Sequence, residues 1–245
     1  KLLLSWFTAN KLSLNVEKTN FIIFTGTRKK YDVNILAQHK ISFDDKPINQ
    51  VTSTKFLGVY VDEHLTWSIH IDHVKSKISK TCGILNKLKH KLPQSVLRLI
   101  YNSLVLPYLQ YCAIVWVCNV SNQNNLNSIL IIQKRAIRNI TKSQYKVHAA
   151  PLFKKLKLLT IHDIGSMQVS QFMYKNNRQL LPLHFLQFFE RNSDVHSYNT
   201  RQSKNIHFKF VSSSKRINTI KYIGPRNWNK LPEQIKSISS SSACS

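Results

Sequence analysis

Two stretches of the chain carry apolar residues at helical spacing, and they constrain the fold more than any other feature. Residues three, four or seven positions apart share one side of an α-helix, so each stretch predicts an amphipathic helix with one buried face. The first stripe consists of Trp67, Ile71, Val74, Ile78, Leu85 and Leu88, and the second of Leu126, Ile129, Leu130, Ile137 and Ile140. We therefore expect a helix-rich chain with a hydrophobic core.

A long apolar run, residues 99–120, lies between the two stripes. It is long enough to cross a bilayer, so a small membrane protein is one interpretation. Polar residues such as Asn102 and Gln110 interrupt the run and basic residues lie on both sides of it, which favours buried helices of a core instead. Pro93 suits the first turn of a helix, and Pro107 predicts a kink or a restart.

The first part of the chain mixes helix and strand signals. Leu2, Leu3, Trp6 and Phe7 have helical spacing, and Asn10 is expected to end that helix in the left-handed conformation. The apolar run NFIIF, residues 20–24, is typical of a strand covered on both faces. The segment ISFDDKPINQV, residues 41–51, predicts a hairpin in which Asp44 and Asp45 cap the turn.

The segment KFLGVYVDEHLTW, residues 55–67, is interpreted as one strand that runs into a helix start. Alternation would place Phe56, Gly58 and Tyr60 on one face of the strand, with Leu57, Val59 and Val61 on the other. A glycine inside a strand marks either the close approach of another backbone or an edge bulge. Asp62 and Glu63 are predicted to be structural, because acids at a helix start favour the positive end of its dipole.

The charge of the chain indicates a polyanionic partner. Lys and Arg number 36 against 11 Asp and Glu, and no acid occurs between Asp72 and Asp163. A basic surface kept for solubility is the alternative. Cations without opposing acids suit contact with phosphates, and they accompany both stripes: Lys75, Lys77, Lys80, Lys87 and Lys89 the first, and Lys134, Arg135 and Arg138 the second.

No metal site is predicted from the cysteines and histidines. Cys82, Cys112, Cys118 and Cys244 form no CxxC pair and are expected to be buried or idle thiols in a reducing compartment. No thiolate or carboxylate completes a usual ligand set beside the histidines of residues 64–73. The chain begins at Lys1 rather than at a methionine, so we expect it to be a piece of a longer protein.

Seven segments of the chain, taken together, carry a resemblance to a known family. In order they are WFTANKLSLNVEKTNFIIF, KFLGVYVDEHLTW, PYLQYCAIVW, LIIQKRAIRNIT, APLFKKLKLLTI, HSYNTRQ and GPRNWNKLP. They resemble the downstream half of the reverse transcriptases of non-LTR, LINE-type retrotransposons of the jockey and CR1 kind. The resemblance implies a helix-rich α+β fold in which a small antiparallel palm remnant is followed by a helical thumb bundle and a mixed C-terminal region.

The resemblance also divides the chain and assigns roles to residues. Residues 1–63 would be the end of the palm, residues 64–145 the thumb, and residues 146–245 the C-terminal region. Lys18 matches the position of a general acid that protonates the departing pyrophosphate, although a solvated turn lysine explains it equally well. The primer grip would comprise Phe56, Leu57, Gly58 and Tyr60.

The family's catalytic carboxylates lie on an aspartate hairpin and on an earlier palm strand. Both elements are upstream of the resembling segments, and neither is in this chain. Two-metal phosphoryl transfer needs them to hold magnesium, so we expect Mg²⁺ only in the complete polymerase and no activity from this chain alone. The expected partners are an RNA template and a DNA primer duplex, with no membrane and no small-molecule ligand, in an intracellular, nuclear location. A non-catalytic nucleic-acid-binding module of the same ancestry is the alternative.

The segment HSYNTRQSKNIHFKF, residues 196–210, mixes aromatic and basic residues. Proteins that bind single strands combine these residue types, because bases stack on rings while cations contact phosphates. An aromatic-rich packed subdomain is the alternative.

Overall fold

The computed structural model describes residues 2–25, 41–43, 46–118, 123–198, 200–208, 210–211 and 214–237. The chain divides into two compact units, Lys1–His70 and Ile71–Ser245. The first unit is built mostly of short strands and the second of helices, which confirms the predicted helix-rich α+β class. The domain boundaries expected after residues 63 and 145 stay predictions.

The first unit begins with one helix, followed by a 3-10 turn at Val16–Lys18 and six short strands. The helix α1 spans Leu2–Ala9, and the strands are β1 (Asn20–Phe21), β2 (Ser42–Phe43), β3 (Lys46–Pro47), β4 (Asn49–Gln50), β5 (Ser53–Phe56) and β6 (Val59–Asp62). They form three separate pairs: β1 with β4 in parallel, and β2 with β3 and β5 with β6 antiparallel. The predicted hairpin at residues 41–51 is confirmed, while its Asp44 and Asp45 lie outside the described residues.

Two details of the first unit differ from the sequence expectations. The residue in the left-handed conformation after α1 is Lys11, with a φ of 53°, and not Asn10. Asn10 instead donates from its side-chain amide to the carbonyl of Trp6 at 2.8 Å, which satisfies one of the last helical carbonyls. The run NFIIF was wrongly expected to be a strand covered on both faces. Only its first two residues pair with a strand, and Phe24 is 57% exposed.

The second unit is a succession of helices, the first of which begins just before the boundary. They are α2 (Ser68–Leu88), α3 (Gln94–Leu104), α4 (Leu106–Gln110), α5 (Ala113–Trp116), α6 (Gln123–Ile140), α7 (Ala149–Leu156), α8 (Ile161–Asn177), α9 (Leu183–Leu186), α10 (Asn192–Val195), α11 (Ser214–Ile217), α12 (Ile220–Asn229) and α13 (Glu233–Lys236). Both predicted stripes are confirmed except at Trp67, which is buried but lies in the loop just before α2. The other members are buried apart from Leu88 and Leu130, which are half-buried.

The apolar run between the stripes forms buried helices, as the interruptions in it predicted. Pro93 is the residue before α3, and Pro107 lies in the first turn of α4, so the chain restarts a helix there. Leu109 and Trp116 are fully buried. Among the described residues, no helix combines the length and the hydropathy that crossing a membrane would require.

Two glutamines tie the helices of the second unit together. The amide of Gln133 on α6 donates to the Tyr101 hydroxyl and to the Leu159 carbonyl, both at 2.8 Å, and its oxygen accepts from the Ile161 amide at 3.0 Å. Burial raises the pKa of Tyr101 to about 12, so its hydroxyl stays neutral. Gln168 similarly bonds the backbone of residues 110 and 114. Each amide thus fixes a helix end against a neighbouring helix.

Candidate nucleic-acid interface

The lysines of α2 do not all lie on one side of the helix. Ile71, Val74 and Ile78 face the core, while Lys77, Lys80 and Lys87 are exposed. At about 100° per residue these three lie within about 80° of one another, which makes them one basic face.

Two further lysines associated with α2 lie away from that face. Lys75 is half-buried on the opposite flank of the stripe, about 140° around the axis from Lys80. Lys89 follows the end of α2, which is at Leu88. The structure therefore divides the predicted set into a three-lysine face and two separate cations.

The second basic helix, α6, lies beside α2. The side-chain amide of Asn139 donates to the Cys82 carbonyl at 3.4 Å, which joins the two helices. Burial raises the pKa of the Cys82 thiol, and the nearby charge of Arg135 partly offsets this. Arg135 is exposed and Lys134 half-buried. α6 thus meets α2 at Cys82, on the flank that carries Lys75 and about 160° around the axis from Lys80.

Arg138 has a structural contact that the sequence did not reveal. Its Nε donates to the carbonyl of Val147 at 2.9 Å, and its guanidinium lies 5.7 Å from the centre of the Tyr145 ring. It therefore holds the loop that follows α6, and only its terminal nitrogens remain for a phosphate. A change at Arg138 would move this loop as well as remove a charge.

The remaining cations of the two helices have no acidic partners. Among the described residues, Lys77, Lys80, Lys87 and Arg135 form no ion pair, whereas Glu233 pairs with Lys236 at 2.8 Å. Unpaired cations on a helix face keep their full charge for an external anion. This arrangement suits contact with a phosphate backbone.

The predicted primer-grip strand is a hairpin, and the expectation of one continuous strand was wrong. β5 and β6 are joined by a two-residue turn at Leu57 and Gly58, whose φ values are 46° and 85°. Positive φ at both turn residues defines a type I′ turn, which matches the twist of the strands. Gly58 therefore lies in a turn, and no gap is left in a row of strand side chains.

The turn also changes which side chains share a face. Phe56 pairs with Val59 and Lys55 with Tyr60, so Phe56 and Tyr60 lie on opposite faces of the hairpin. The Lys55 amine lies 5.7 Å from the centre of the Tyr60 ring. Phe56 is 65% exposed and Leu57 is 75% exposed, whereas Val59 is buried. The hairpin thus presents an apolar tip.

Asp62 has the structural role expected of it, through a different contact. Its carboxylate accepts from the backbone amides of His64, Thr66 and Trp67, at 3.2, 2.9 and 2.8 Å. The helix α2 begins only at Ser68 and has no acid in its first turn, so the predicted interaction with the helix dipole was wrong. The bonds instead stabilise a loop in which Trp67 has a φ of 62°.

Lys18 ends the 3-10 turn of the first unit. The side chain of Asn15 accepts from the Lys18 backbone amide at 3.1 Å, which orders the turn, and the Lys18 side chain is exposed. Its role as a general acid stays a prediction.

Two of the described cysteines, Cys82 and Cys118, have thiols whose pKa is raised by burial. Cys82 is buried, and burial raises the pKa of Cys118 to about 11, which keeps that thiol neutral. Within the part of the chain that the structure describes, no three His, Cys, Asp or Glu side chains come together as metal ligands would.

Comparison with known proteins supports the family resemblance. The chain is 26% identical over 162 residues to the Drosophila melanogaster protein named "Probable RNA-directed DNA polymerase from transposon X-element", a match covering 64% of this chain and 17% of that protein. It is 26% identical over 129 residues to the corresponding protein from transposon BS of the same species, covering 51% and 14%. It is 24% identical over 127 residues to the RNA-directed DNA polymerase from the Drosophila mobile element jockey, covering 50% and 14%.

These relatives define the class to which the chain is similar, the RNA-directed DNA polymerases of mobile elements. More particularly, the chain is similar to the reverse transcriptases of non-LTR retrotransposons, as its seven segments indicated. The matches span 14% to 17% of the length of those proteins. No protein-family model matches the chain, and no solved structure matches it.

Proposed function

We propose that the chain is the part of a non-LTR reverse transcriptase that holds the primer–template duplex, and that it does not polymerise DNA by itself. The observation that carries the proposal is the exposed face of Lys77, Lys80 and Lys87 on α2, in a stretch without acids. The curated relatives are RNA-directed DNA polymerases, and such enzymes hold a nucleic-acid duplex by its backbone.

The hairpin of β5 and β6 is proposed as a second contact, with the primer strand. Its exposed tip, Phe56 and Leu57, offers apolar surface to sugars and bases, and Lys55 supplies a cation on the other face. An apolar side chain held in the left-handed conformation at a turn tip is a strained arrangement, which suits a residue kept for binding.

The test measures the affinity of the chain for a hairpin primer–template at several salt concentrations. The slope of log affinity against log salt should fall by about 0.9 on duplex DNA for every phosphate that the chain no longer neutralises. The triple variant Lys77→Gln, Lys80→Gln, Lys87→Gln is therefore expected to lower the slope by about 2.7 if all three lysines bind phosphate.

A matched control removes the same total charge elsewhere. Lys154, Lys155 and Lys175 are exposed lysines outside α2 and α6, and their triple change to Gln removes an equal charge. If both triple variants lower the slope equally, the α2 face has no special contact and the proposal fails. Circular dichroism confirms that each variant is folded.

Absence of polymerisation is tested separately. The pure chain, with nucleotides, magnesium and primed RNA, is expected to extend no primer, because its described acids do not cluster as metal ligands. Template-dependent incorporation by the pure chain would contradict this part of the proposal.

A further inference from the structure

The C-terminal part of the second unit contains a groove of about 1070 Å³ between α12 and residues of the segments 192–198 and 200–208. Its lining includes two tyrosines, a phenylalanine, an arginine and a lysine, and it contains no acidic residue. These side chains are Tyr198, Phe208, Tyr222, Arg226 and Lys230. The volume slightly exceeds the usual range of pockets for small molecules, about 300 to 1,000 Å³.

The wall of the groove is fixed by a side chain of α12. The amide of Asn229 donates to the Ile206 carbonyl at 2.9 Å and accepts from the Ile206 amide at 3.1 Å. The backbone amide of His207 donates to the Glu190 carbonyl at 2.8 Å, so the segment that carries Phe208 is held from both sides. A ligand would therefore meet side chains on a preorganised backbone.

The helix α12 divides its residues between the core and the groove. Trp228 and Gly224 are buried, and a side chain at Gly224 would come within 2.5 Å of the Met173 sulfur. Tyr222 and Arg226 are four residues apart and share the side of the helix that lines the groove. In the segment GPRNWNKLP, Gly224 and Trp228 therefore pack in the core, while Arg226 and Lys230 line the groove.

The rings of the groove are only partly covered by their neighbours. Phe208 and Tyr222 have centroids 6.0 Å apart and planes at 89°, so they are not stacked on each other. Tyr198 is 79% exposed, and Phe210, just beyond the groove, is 92% exposed. Exposed ring faces beside cations are the combination on which single-stranded bases stack while their phosphates are neutralised.

We propose that this groove binds single-stranded nucleic acid, with bases on Tyr198, Phe208 and Tyr222 and phosphates on Arg226 and Lys230. A duplex cannot use the ring faces, because its bases are already stacked on each other. The groove is therefore a site separate from the basic face of α2, and its role does not depend on the binding of a duplex there.

The experiment measures the affinity of the whole chain for single-stranded RNA, single-stranded DNA and a blunt duplex of about 12 nucleotides. The variant Phe208→Leu keeps apolar volume and removes the ring. We expect it to weaken single-strand binding about 5-fold to 100-fold, with an unchanged salt slope and unchanged duplex affinity. The two single-stranded probes show whether the groove prefers RNA or DNA.

The cations are tested by the double variant Arg226→Gln, Lys230→Gln. It should lower the salt slope for single strands by about 0.7 for each phosphate that is no longer neutralised. The matched control changes Arg216 and Lys154, which are exposed and outside the groove, to Gln. The chain has a net charge of +25, so this control measures the effect of removing any two positive charges.

Single-strand affinity tests the groove, and duplex affinity tests the function proposed for the basic helices. Reduced single-strand affinity in the groove variants, with duplex affinity kept, supports the groove whatever the α2 variants do. Single-strand affinity equal to that of the parent chain in Phe208→Leu, together with a double variant that behaves as its control, would overturn the proposal.

Discussion

The side-chain amide of Gln133 donates to the hydroxyl of Tyr101 at 2.8 Å inside the helical unit, where both side chains are fully buried. The same amide group bonds the backbone at Leu159 and Ile161, just before and at the start of α8. One residue thus satisfies three groups, two of which belong to the fully buried residues Tyr101 and Ile161.

Replacement of Gln133 by Leu is expected to lower the free energy of unfolding. The change leaves the Leu159 carbonyl and the Ile161 amide without their partner, at about 1–3 kcal/mol for each orphaned group. Tyr101→Phe removes only one bond and should cost about 0.5–1.5 kcal/mol. Urea unfolding measures both. The control Gln144→Leu lies on an exposed loop, and an equal destabilisation in the control would contradict the role of Gln133.

Replacement of Leu57 by Asn should separate the stability of the hairpin from its binding. Asn tolerates the left-handed conformation better than Leu, so we expect the variant to be more stable by roughly 0.5–1 kcal/mol. The apolar tip becomes smaller and polar, so affinity for primer should fall. Chemical denaturation and primer binding in a complete polymerase measure the two effects. Primer affinity equal to the parent's would remove Leu57 from the proposed grip.

Replacement of Gly58 would not test the proposed primer contact alone. Its φ of 85° favours glycine, so Gly58→Val strains the turn whether or not a primer approaches. We expect the Val variant to be less stable by at least about 1 kcal/mol from the left-handed penalty alone. Denaturation of the free chain checks this. A Val variant as stable as the parent would show that the turn conformation is not the one described.

Asp62 and Glu63 are adjacent acids with different expected effects. Asp62→Ala removes the acceptor of three backbone amides and should cost about 1–3 kcal/mol or more. Asp62→Asn keeps an acceptor oxygen and should cost less. Glu63→Gln alters only a contact with the half-exposed His64 and should be close to neutral. Thermal unfolding of the three variants checks the order, and a Glu63 variant as damaging as Asp62→Ala would contradict it.

Gly165 on α8 allows the helix to approach Val117 closely. A side chain at Gly165 would come within 2.6 Å of the Val117 Cγ1 atom. We expect Gly165→Ala to lower the stability by about 1–3 kcal/mol. In the double variant with Val117→Ala the destabilisation should be smaller than the sum of the two single effects. Additive effects in urea unfolding would show that the two residues do not share this contact.

The long helices could be predicted from the amino-acid sequence, because their apolar stripes repeat with the period of the α-helix over many residues. Such long-range periodicity is insensitive to single exceptions, so Leu88 and Leu130 could be half-buried without altering the prediction. The similarity to reverse transcriptases was also evident from the order of short segments.

The hairpin at Leu57 and Gly58 could not be predicted in this way. The turn has only two residues and lacks the usual Asn-Gly signal. The apolar pattern of the segment therefore looks almost the same as that of one continuous strand. Only the pairing of Phe56 with Val59 establishes which residues share a face.

Which polar residues are buried, and which distant residues meet, depended on the packing of the folded chain. Gln133 is polar, so nothing in its type distinguishes it from an exposed residue until α3 and α8 supply its partners. The groove joins Phe208 to Tyr222 and Arg226 because Asn229 fixes the backbone of Ile206. Periodicity reports which side of one element is apolar, whereas a polar contact or a binding groove depends on how separate elements pack together.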